Sequence, residues 1–596
     1  MKSDTGVTLL ETIIGVAIMA MIAFSVYQGF SVLLDTLNAA KIRVAATDLA
    51  NEEFEIIRNM SYQNVGTVGG VPNGFVPQIQ TKSKNGIEFT ITASIRNIDD
   101  PFDGTLNGAP NDLSPADYKL VELSLNCVNC FDSSAFVFTG RVAPKALETA
   151  SENGALFVRA INASGLPVSG ANVNIINTSV VPQVNINDTT GVDGYLKVVD
   201  VKPAVQTYEV TVSKTGYSSD KTYDVTTENP NPVKPPLTVA LQTITQSTFT
   251  IDKVSSLNVT SVADTCSPIP DINFTLSGSK LIGTTPDILK YSESHITDGF
   301  GLRNVTGLEW DNYSATFANT GYDVAGTIPL FPIALQPGSA QDLKLIMRLK
   351  NPLAFLATVR DSATSLPLSD VSVILNSASY NKTLLTGRGF LTQTDWSGGS
   401  GQNLFVNPSQ YFADDANIDV ISSAGDVKLN QTSTSTYADS GWLESSTFDT
   451  GSASNFFSIT MEPTSQPPDT GVDSVKLQFA SATTTNPAGW QYLGPDGTVN
   501  TFYKTTSVNI NSIHNNDRYF RYKAYLSTAS TTFTPTLSDI SVTFASDCVP
   551  PGQVLFTGLV ADSYNITLTK TGYITINDVV TINQGWQESI FDMSSE

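Results

Sequence analysis

The chain has 596 residues, of which 41% are apolar and 15% charged, and it carries a net charge of −23 with a pI near 4.4. That length exceeds what one hydrophobic core supports, so several domains are expected, and the apolar content excludes a disordered chain. The acidity leaves no basic face for a nucleic acid. It fits solubility through net charge and equally the exterior of a secreted or surface protein.

The first residues, MKSDTG, precede an apolar run, VTLLETIIGVAIMAMIAFSVYQGFSVLL. The 23 positions from Thr12 to Leu34 carry no charge, enough for a helix to span about 30 Å of hydrocarbon. An ordinary secretory signal has a shorter apolar region followed by a small-residue cleavage site, and this run has neither. Glu11 is the one ionisable group at its start. A carboxylate there is costly without a partner; the plainer reading is that it marks the membrane interface.

These residues resemble the type IV prepilin signal, a short polar leader ending in Gly before an apolar helix whose fifth residue is Glu. Gly6 stands as the last leader residue, Val7 as the first mature one and Glu11 as the fifth. The resemblance implies cleavage after Gly6 by a prepilin peptidase and N-methylation at Val7. It also implies assembly with other pilin or pseudopilin subunits from the inner membrane. In that setting Glu11 accepts the amino terminus of a neighbouring subunit, a charge-assisted pair in low dielectric that fixes axial register.

From Asp35 to Met60 the pattern turns amphipathic. Leu37, Val44, Leu49, Phe54, Ile57 and Met60 recur at roughly helical spacing among charged residues. No proline interrupts Met1 to Val71, so one continuous helix is expected. GIEFTITASIRNI (86 to 98) and YKLVELSLNC (118 to 127) then alternate with period two, as strands do. They resemble the small antiparallel sheet of a pilin head.

Cys127 and Cys130 form a C-x-x-C at the end of that second strand, and Cys266 and Cys548 stand alone. His295 and His514, the only histidines, are distant in sequence, so no zinc ligand set is evident. Structural disulfides in an oxidising compartment are the favoured reading, with Cys127 and Cys130 a candidate pair. Spacing does not fix the pairing.

Three later segments share two signatures. A Pro-led turn enters a strand at Pro167, Pro268 and Pro367, and a strand opening on Tyr208, Tyr313 or Tyr564 ends in Thr-Gly-Tyr. From Pro to Tyr the distance is 41, 45 and 197 residues in turn. The third copy is longer by about 150 residues, a domain's worth. A separate domain inserted into it is therefore expected, entered through the glycine-rich DWSGGSGQN. GLPVSGANVNI, TTGVDGYLKV and YEVTVSKTGY resemble carboxypeptidase regulatory-like domains, which implies transthyretin-type β-sandwiches serving as stalks. Asp193 in GVDGY reads as turn chemistry.

The insertion also reads as β and resembles a jelly-roll or lectin-like sandwich. Trp442, Trp490 and the cluster RYFRY are candidates for stacking on sugars, against the commoner role of filling a core. No Walker loop, H-E-x-x-H, G-x-S-x-G or Rossmann fingerprint occurs, so no enzyme and no cofactor are expected.

The fold class expected is mainly β and multidomain behind a long N-terminal helix. The divisions are a leader at 1–6, the transmembrane and assembly helix at 7–60, and a pilin-like head at 61–145. Sandwich repeats follow at 154–245, 246–350, and 352–400 with 548–596, with the insertion at 401–547. The function expected is a minor pilin or pseudopilin of a type IV pilus or type II secretion-like filament. It would be a single-pass membrane protein with its β domains extracellular or periplasmic. The rival is a membrane-displayed adhesin that recognises surface glycans or other cells.

Overall fold

The computed structural model describes residues 9–130, 135–145, 150–318, 321–422, 425–504 and 508–596. One long helix is followed by strands throughout the rest of the chain, a mainly β, multidomain protein. The chain forms two compact units, Met1–Val254 with Leu281–Ile288, and Ser255–Lys280 with Leu289–Glu596.

In the first unit the helix Leu9–Arg58 runs for 50 residues. It contains no proline, and its Ala, Leu, Met and Glu content favours helix. Its C-terminal part buries Ala45, Ala46, Leu49, Ala50, Phe54 and Ile57, a stripe at three- and four-residue spacing. That stripe packs on a four-stranded antiparallel sheet of Ile79–Lys84, Ile87–Ile98, Tyr118–Cys127 and Phe136–Val142, paired in sequence order. Phe89, Ile91, Ile95, Val121, Leu123 and Leu125 complete the core from the sheet side. Each large side chain buried here contributes roughly 1.5–3 kcal/mol. Gly140 lets the helix come close: a Cβ there would lie 2.8 Å from the Phe54 ring.

One part of the expected stripe is corrected. Leu37 and Val44 are 58% and 59% exposed, so the sheet covers the helix only from Ile42 onward, and on the Ala45 side of it. Small alanines carry the contact, and a pattern read from large apolar residues passes over them.

The rest of the first unit is a sandwich. One sheet has the order Ile244–Thr250, Gly154–Ile161, Tyr195–Val201; the other centres on Ala204–Ser213, Asn172–Asn177 and Val184–Thr189. Leu156, Val158, Val173, Ile175, Val210 and Phe249 fill the space between them. The last strand extends beyond the boundary expected at 245.

The second unit holds two more sandwiches of this kind. One pairs the sheet containing Ser255–Val262 and Ala340–Leu349 with the sheet containing Asn273–Gly278 and Asp311–Phe317. The other sets Gln553–Thr557, Ala354–Asp361 and Trp586–Met593 against Asn381–Leu385, Ser372–Asn376, Asp562–Thr569 and Ile576–Ile582.

The three sandwiches repeat small devices at equivalent places. The buried Tyr208, Tyr313 and Tyr564 hydroxyls donate to the backbone carbonyls of Lys202, Glu309 and Val560 at 2.6, 2.8 and 2.9 Å. Pro167, Pro268 and Pro367 bridge to Ile161, Val262 and Arg360, each at or beside the end of its first strand. Thr190, Thr297 and Thr386 accept the backbone N–H of Ala171, Ile272 and Val371 at 3.0, 3.0 and 3.1 Å. Asp193 accepts the Tyr195 N–H at 3.0 Å, a turn contact.

Within the third sandwich stands a larger sheet of eight strands. Its main path is Gly389–Gln393, Asp539–Ala545, Phe448–Glu462, Asp517–Ser527, Ser440–Glu444, Ala413–Asp414. The 15-residue strand Phe448–Glu462 pairs with Asp517–Ser527 along its first part and with Asp539–Ala545 along its second, so the sheet turns a corner. Phe448, Phe456, Phe479, Phe520, Tyr522 and Trp396 pack inside. The expected entry at 401 is corrected here: Gly389–Gln393 already belongs to this sheet, and Trp396 is fully buried in its core. The glycine-rich DWSGGSGQN is a loop inside the domain, and nothing in GFLTQT distinguishes it from a strand of the host.

Candidate functional site

Gly6 and Val7 lie outside the described residues. Glu11 falls in the first turn of the helix Leu9–Arg58. Beyond it, Ile13, Ile14, Val16, Ile18, Met19, Met21, Ile22, Phe24 and Val26 are all about half exposed or more, on every side of the helix. The stretch is long and apolar enough to cross a membrane. The two halves of one helix thus present opposite chemistry: an uncovered apolar cylinder, then a single docked stripe.

The docked end is held by charge as well as packing. Glu53, 4% exposed, pairs with Lys82 and accepts from Gln80 Nε2 at 2.9 Å. Where the chain leaves the helix, Lys119 reaches from the sheet. Its ammonium donates to the Tyr62 and Val65 carbonyls at 2.7 and 2.6 Å. Burial lowers its pKa from 10.5 to about 8, with Asp200 opposing that shift.

All four cysteines are paired, Cys127 with Cys130 and Cys266 with Cys548. The first pair closes the end of a head strand. The second joins segments 282 residues apart.

Trp442 and Trp490 are both half-buried and share the outward face of the inserted sheet. Alternation along Asp517–Ser527 sends Phe520, Tyr522, Ala524 and Leu526 into the core and Arg521, Lys523 and Tyr525 to the other face of the sheet, where Arg521 is itself covered. Trp442 stands opposite Tyr525, and Lys523 Nζ lies 3.7 Å from the Trp442 ring centroid. Arg521 lies over the Phe412 and Trp490 rings at 3.9 and 5.1 Å. Its guanidinium also donates to Glu444 Oε1 at 2.7 Å, Thr447 Oγ1 at 2.8 Å and Asn403 Oδ1 at 2.5 Å. Burial and the Glu444 carboxylate push the Tyr492 hydroxyl well above the usual phenol range. The RYFRY cluster is therefore divided: Phe520 and Tyr522 are core, Arg518 pairs with Asp449, and the buried Arg521 backs Trp490 in a face of aromatic rings that Trp442 and Lys523 share. Such a face suits stacking on a sugar ring.

The same sheet brings Ser481, His514 and Asp517 together. Ser481 Oγ contacts His514 Nδ1 at 2.9 Å and donates to Asp517 Oδ2 at 2.5 Å. A nucleophilic triad needs the imidazole between the hydroxyl and the carboxylate. Here serine occupies the middle, its proton is directed at Asp517, and His514 is 3% exposed. The trio pins a loop to the sheet.

Sequence reasoning missed Lys119 and the three threonines. For the threonines a signal exists: Thr190, Thr297 and Thr386 each precede a glycine-bearing turn, TGVDG, TDGFG and TGRG.

No family model matches this chain, and no curated protein matches it. Among solved structures it is similar to the TIE protein of Bacillus anthracis, at 12% identity over 52% of this chain and 68% of that one, with a TM-score of 0.15. It is also similar to the minor pilin of the Gram-positive pathogen Streptococcus agalactiae, at 12% identity over 32% of this chain and 96% of that one, TM-score 0.16. A streptococcal ancillary pilin gives 9% identity over 75% of this chain and 99% of that one, TM-score 0.14. Overlaps this low carry no argument about what this chain does.

Proposed function

We propose that the chain is a minor pilin or pseudopilin of a type IV pilus or type II secretion-like filament. In this reading a prepilin peptidase cleaves after Gly6, Val7 is N-methylated, and Glu11 pairs with the amino terminus of a neighbouring subunit. The helix anchors the chain in the inner membrane before assembly, and the β domains stand outside, in periplasm or at the cell surface. The chain has no enzymatic role.

The observation that carries the reading is the divided helix Leu9–Arg58. Its first half exposes apolar side chains all round, while its last turns bury one stripe on the head sheet. A water-exposed cylinder of that kind needs a bilayer or a bundle of like helices around it. The bulk of the chain beyond the helix favours a tip or low-abundance position over a repeating shaft subunit.

Glu11→Val tests the assembly step. The expected result is loss of the protein from purified filaments while it remains in the membrane; unchanged incorporation overturns the register pair. Intact mass of the extracted protein is expected to show loss of residues 1–6 and one added methyl. A chain that still begins at Met1 in a host with the peptidase overturns the family reading.

A second reading, a membrane-displayed adhesin that binds glycans, is favoured by one observation: Trp442, Trp490 and Lys523 gather on one face of the inserted sheet, backed by the buried Arg521. Its test is a glycan array with the detergent-solubilised chain, compared with Trp442→Ala. Binding lost in the variant supports it, and absence of binding by both counts against it.

A further inference from the structure

In each sandwich the first and last strands are hydrogen-bonded neighbours and run parallel. Gly154–Ile161 pairs with Ile244–Thr250 from Ala155↔Ile244 to Ile161↔Thr250. Ser255–Val262 pairs with Ala340–Leu349 from Ser256↔Ala340 to Val262↔Ile346. Ala354–Asp361 pairs with Trp586–Met593 along its whole length. When such a sandwich is pulled from its two ends, the two strands slide past each other, and every ladder hydrogen bond between them is loaded at once. Peeling one strand from another loads the bonds singly.

The inserted sandwich breaks this arrangement. It leaves the third sandwich from Asn381–Leu385, an edge strand paired among the described residues only with Ser372–Asn376, and returns into Gln553–Thr557, the edge strand beside Ala354–Asp361. In the antiparallel hairpin Ser372 faces Leu385. Tension leaving at Leu385 therefore opens that hairpin from its free end, one pair at a time. The host repeat is the weak link for any force applied to its guest.

The Cys266–Cys548 disulfide sits across that link. Cys266 follows Ser255–Val262 by four residues, and Cys548 follows Asp539–Ala545, a strand inside the inserted sheet, by three. Neighbouring contacts in this unit reinforce the joint. Gln553 Nε2 donates to the Thr327 carbonyl at 2.8 Å and its Oε1 accepts the Thr327 N–H at 3.0 Å, while Lys344 Nζ donates to the Asp547 carbonyl at 3.1 Å.

We propose that the β array is a tension-carrying arm in which force applied to the inserted sandwich passes through Cys266–Cys548 into Ser255–Val262, bypassing the peelable third sandwich. This goes beyond the filament reading and is independent of it: the path is the same whether the helix sits in a bilayer or in a filament.

The test is force spectroscopy on the full chain with handles on two introduced thiols, Lys253→Cys and Thr484→Cys, both at exposed positions. With the disulfide intact, the first rupture is expected to be the inserted sandwich itself. After reductant is added, or in a chain also carrying Cys266→Ser and Cys548→Ser, the first rupture is expected at lower force. It should release the third sandwich, and the full extension should grow by roughly 150 residues, ~50 nm at ~3.5 Å each. If the inserted sandwich still ruptures first and at the same force after reduction, the proposal is overturned. Reducing the unmutated pair gives the same comparison should the serine variants misfold.

Discussion

Lys119 Nζ lies 4.4 Å from the Tyr62 ring centroid and donates to the carbonyls of Tyr62 and Val65. Two carbonyls and one ring face thus receive the ammonium, and together they fasten the segment leaving the long helix to the head sheet. Burial sets the folded pKa at about 8, below the ordinary 10.5. Between those values the unfolded chain binds more protons than the folded one, so this group makes the head more stable as pH rises from 8 toward 10.5. Lys119→Met removes that contribution. Hydrogen exchange of strand Tyr118–Cys127 in wild type and variant, compared at each pH, checks it: protection in the wild type is expected to gain on the variant above pH 8. A difference constant with pH would count against a buried ammonium.

The tyrosine of each sandwich anchors a backbone carbonyl, and the three anchors are independent of one another. Tyr208→Phe, Tyr313→Phe and Tyr564→Phe each keep the ring and remove the hydroxyl that Lys202, Glu309 or Val560 receives. Each is expected to cost about 1 kcal/mol in its own sandwich, read as a shift in denaturant midpoint. Pairs of these substitutions are expected to add within a few tenths of a kcal/mol.

These tyrosines also show what the sequence discloses. Tyr208, Tyr313 and Tyr564 are visible because each begins an alternating run followed by Thr-Gly-Tyr, although the strands themselves start two to four residues earlier and end before that turn. The Pro turns are visible for a similar reason, and the unequal Pro-to-Tyr spacing reveals an insertion. Its edge is not legible, because nothing in GFLTQ marks which sheet it joins and only pairing with Asp539–Ala545 assigns it. The partner of Cys266 is hidden for the same reason: chain folding over 282 residues brings Cys548 to it. Which members of RYFRYK fill the core and which meet the tryptophans is not legible until the strand direction and the covering rings are known. Gly6, Val7 and Glu11 are readable only as a linear motif, and no packing argument reaches them.

His514 gives the inserted sandwich an acid limit. Desolvation lowers its pKa from 6.5 to about 4. Between those values the unfolded chain binds the proton and the folded one does not. The stabilising contribution is therefore complete above pH 6.5 and is lost as pH falls toward 4. The imidazole resonances of His514 are expected to stay in the neutral form down to about pH 5. His514→Gln is expected to flatten the fall in unfolding midpoint of this sandwich between pH 6.5 and 4. An imidazole that titrates near 6.5 would show the site to be open to water.

Arg521, buried beneath the rings of Phe412 and Trp490, is the residue of this face whose loss should be felt most in stability. Its side chain is 2% exposed and that of Glu444 is 14% exposed, with 2.7 Å between Nη1 and Oε1. Truncation to Arg521→Met leaves the Glu444 carboxylate, the Thr447 hydroxyl and the Asn403 side chain without their donor. Removing one member of a buried pair costs about 3–5 kcal/mol, most of it the burden of the stranded charge. The inserted sandwich is expected to lose about 3 kcal/mol in chemical denaturation. Neutralising the stranded partner, Arg521→Met with Glu444→Gln, is expected to recover a good part of that loss. Arg521→Lys is expected to fall between, since one ammonium replaces the charge but not the fork that reaches Glu444, Thr447 and Asn403 together. If the double variant is no more stable than Arg521→Met, the cost lies in lost packing against Phe412 and Trp490 and not in the unpaired carboxylate.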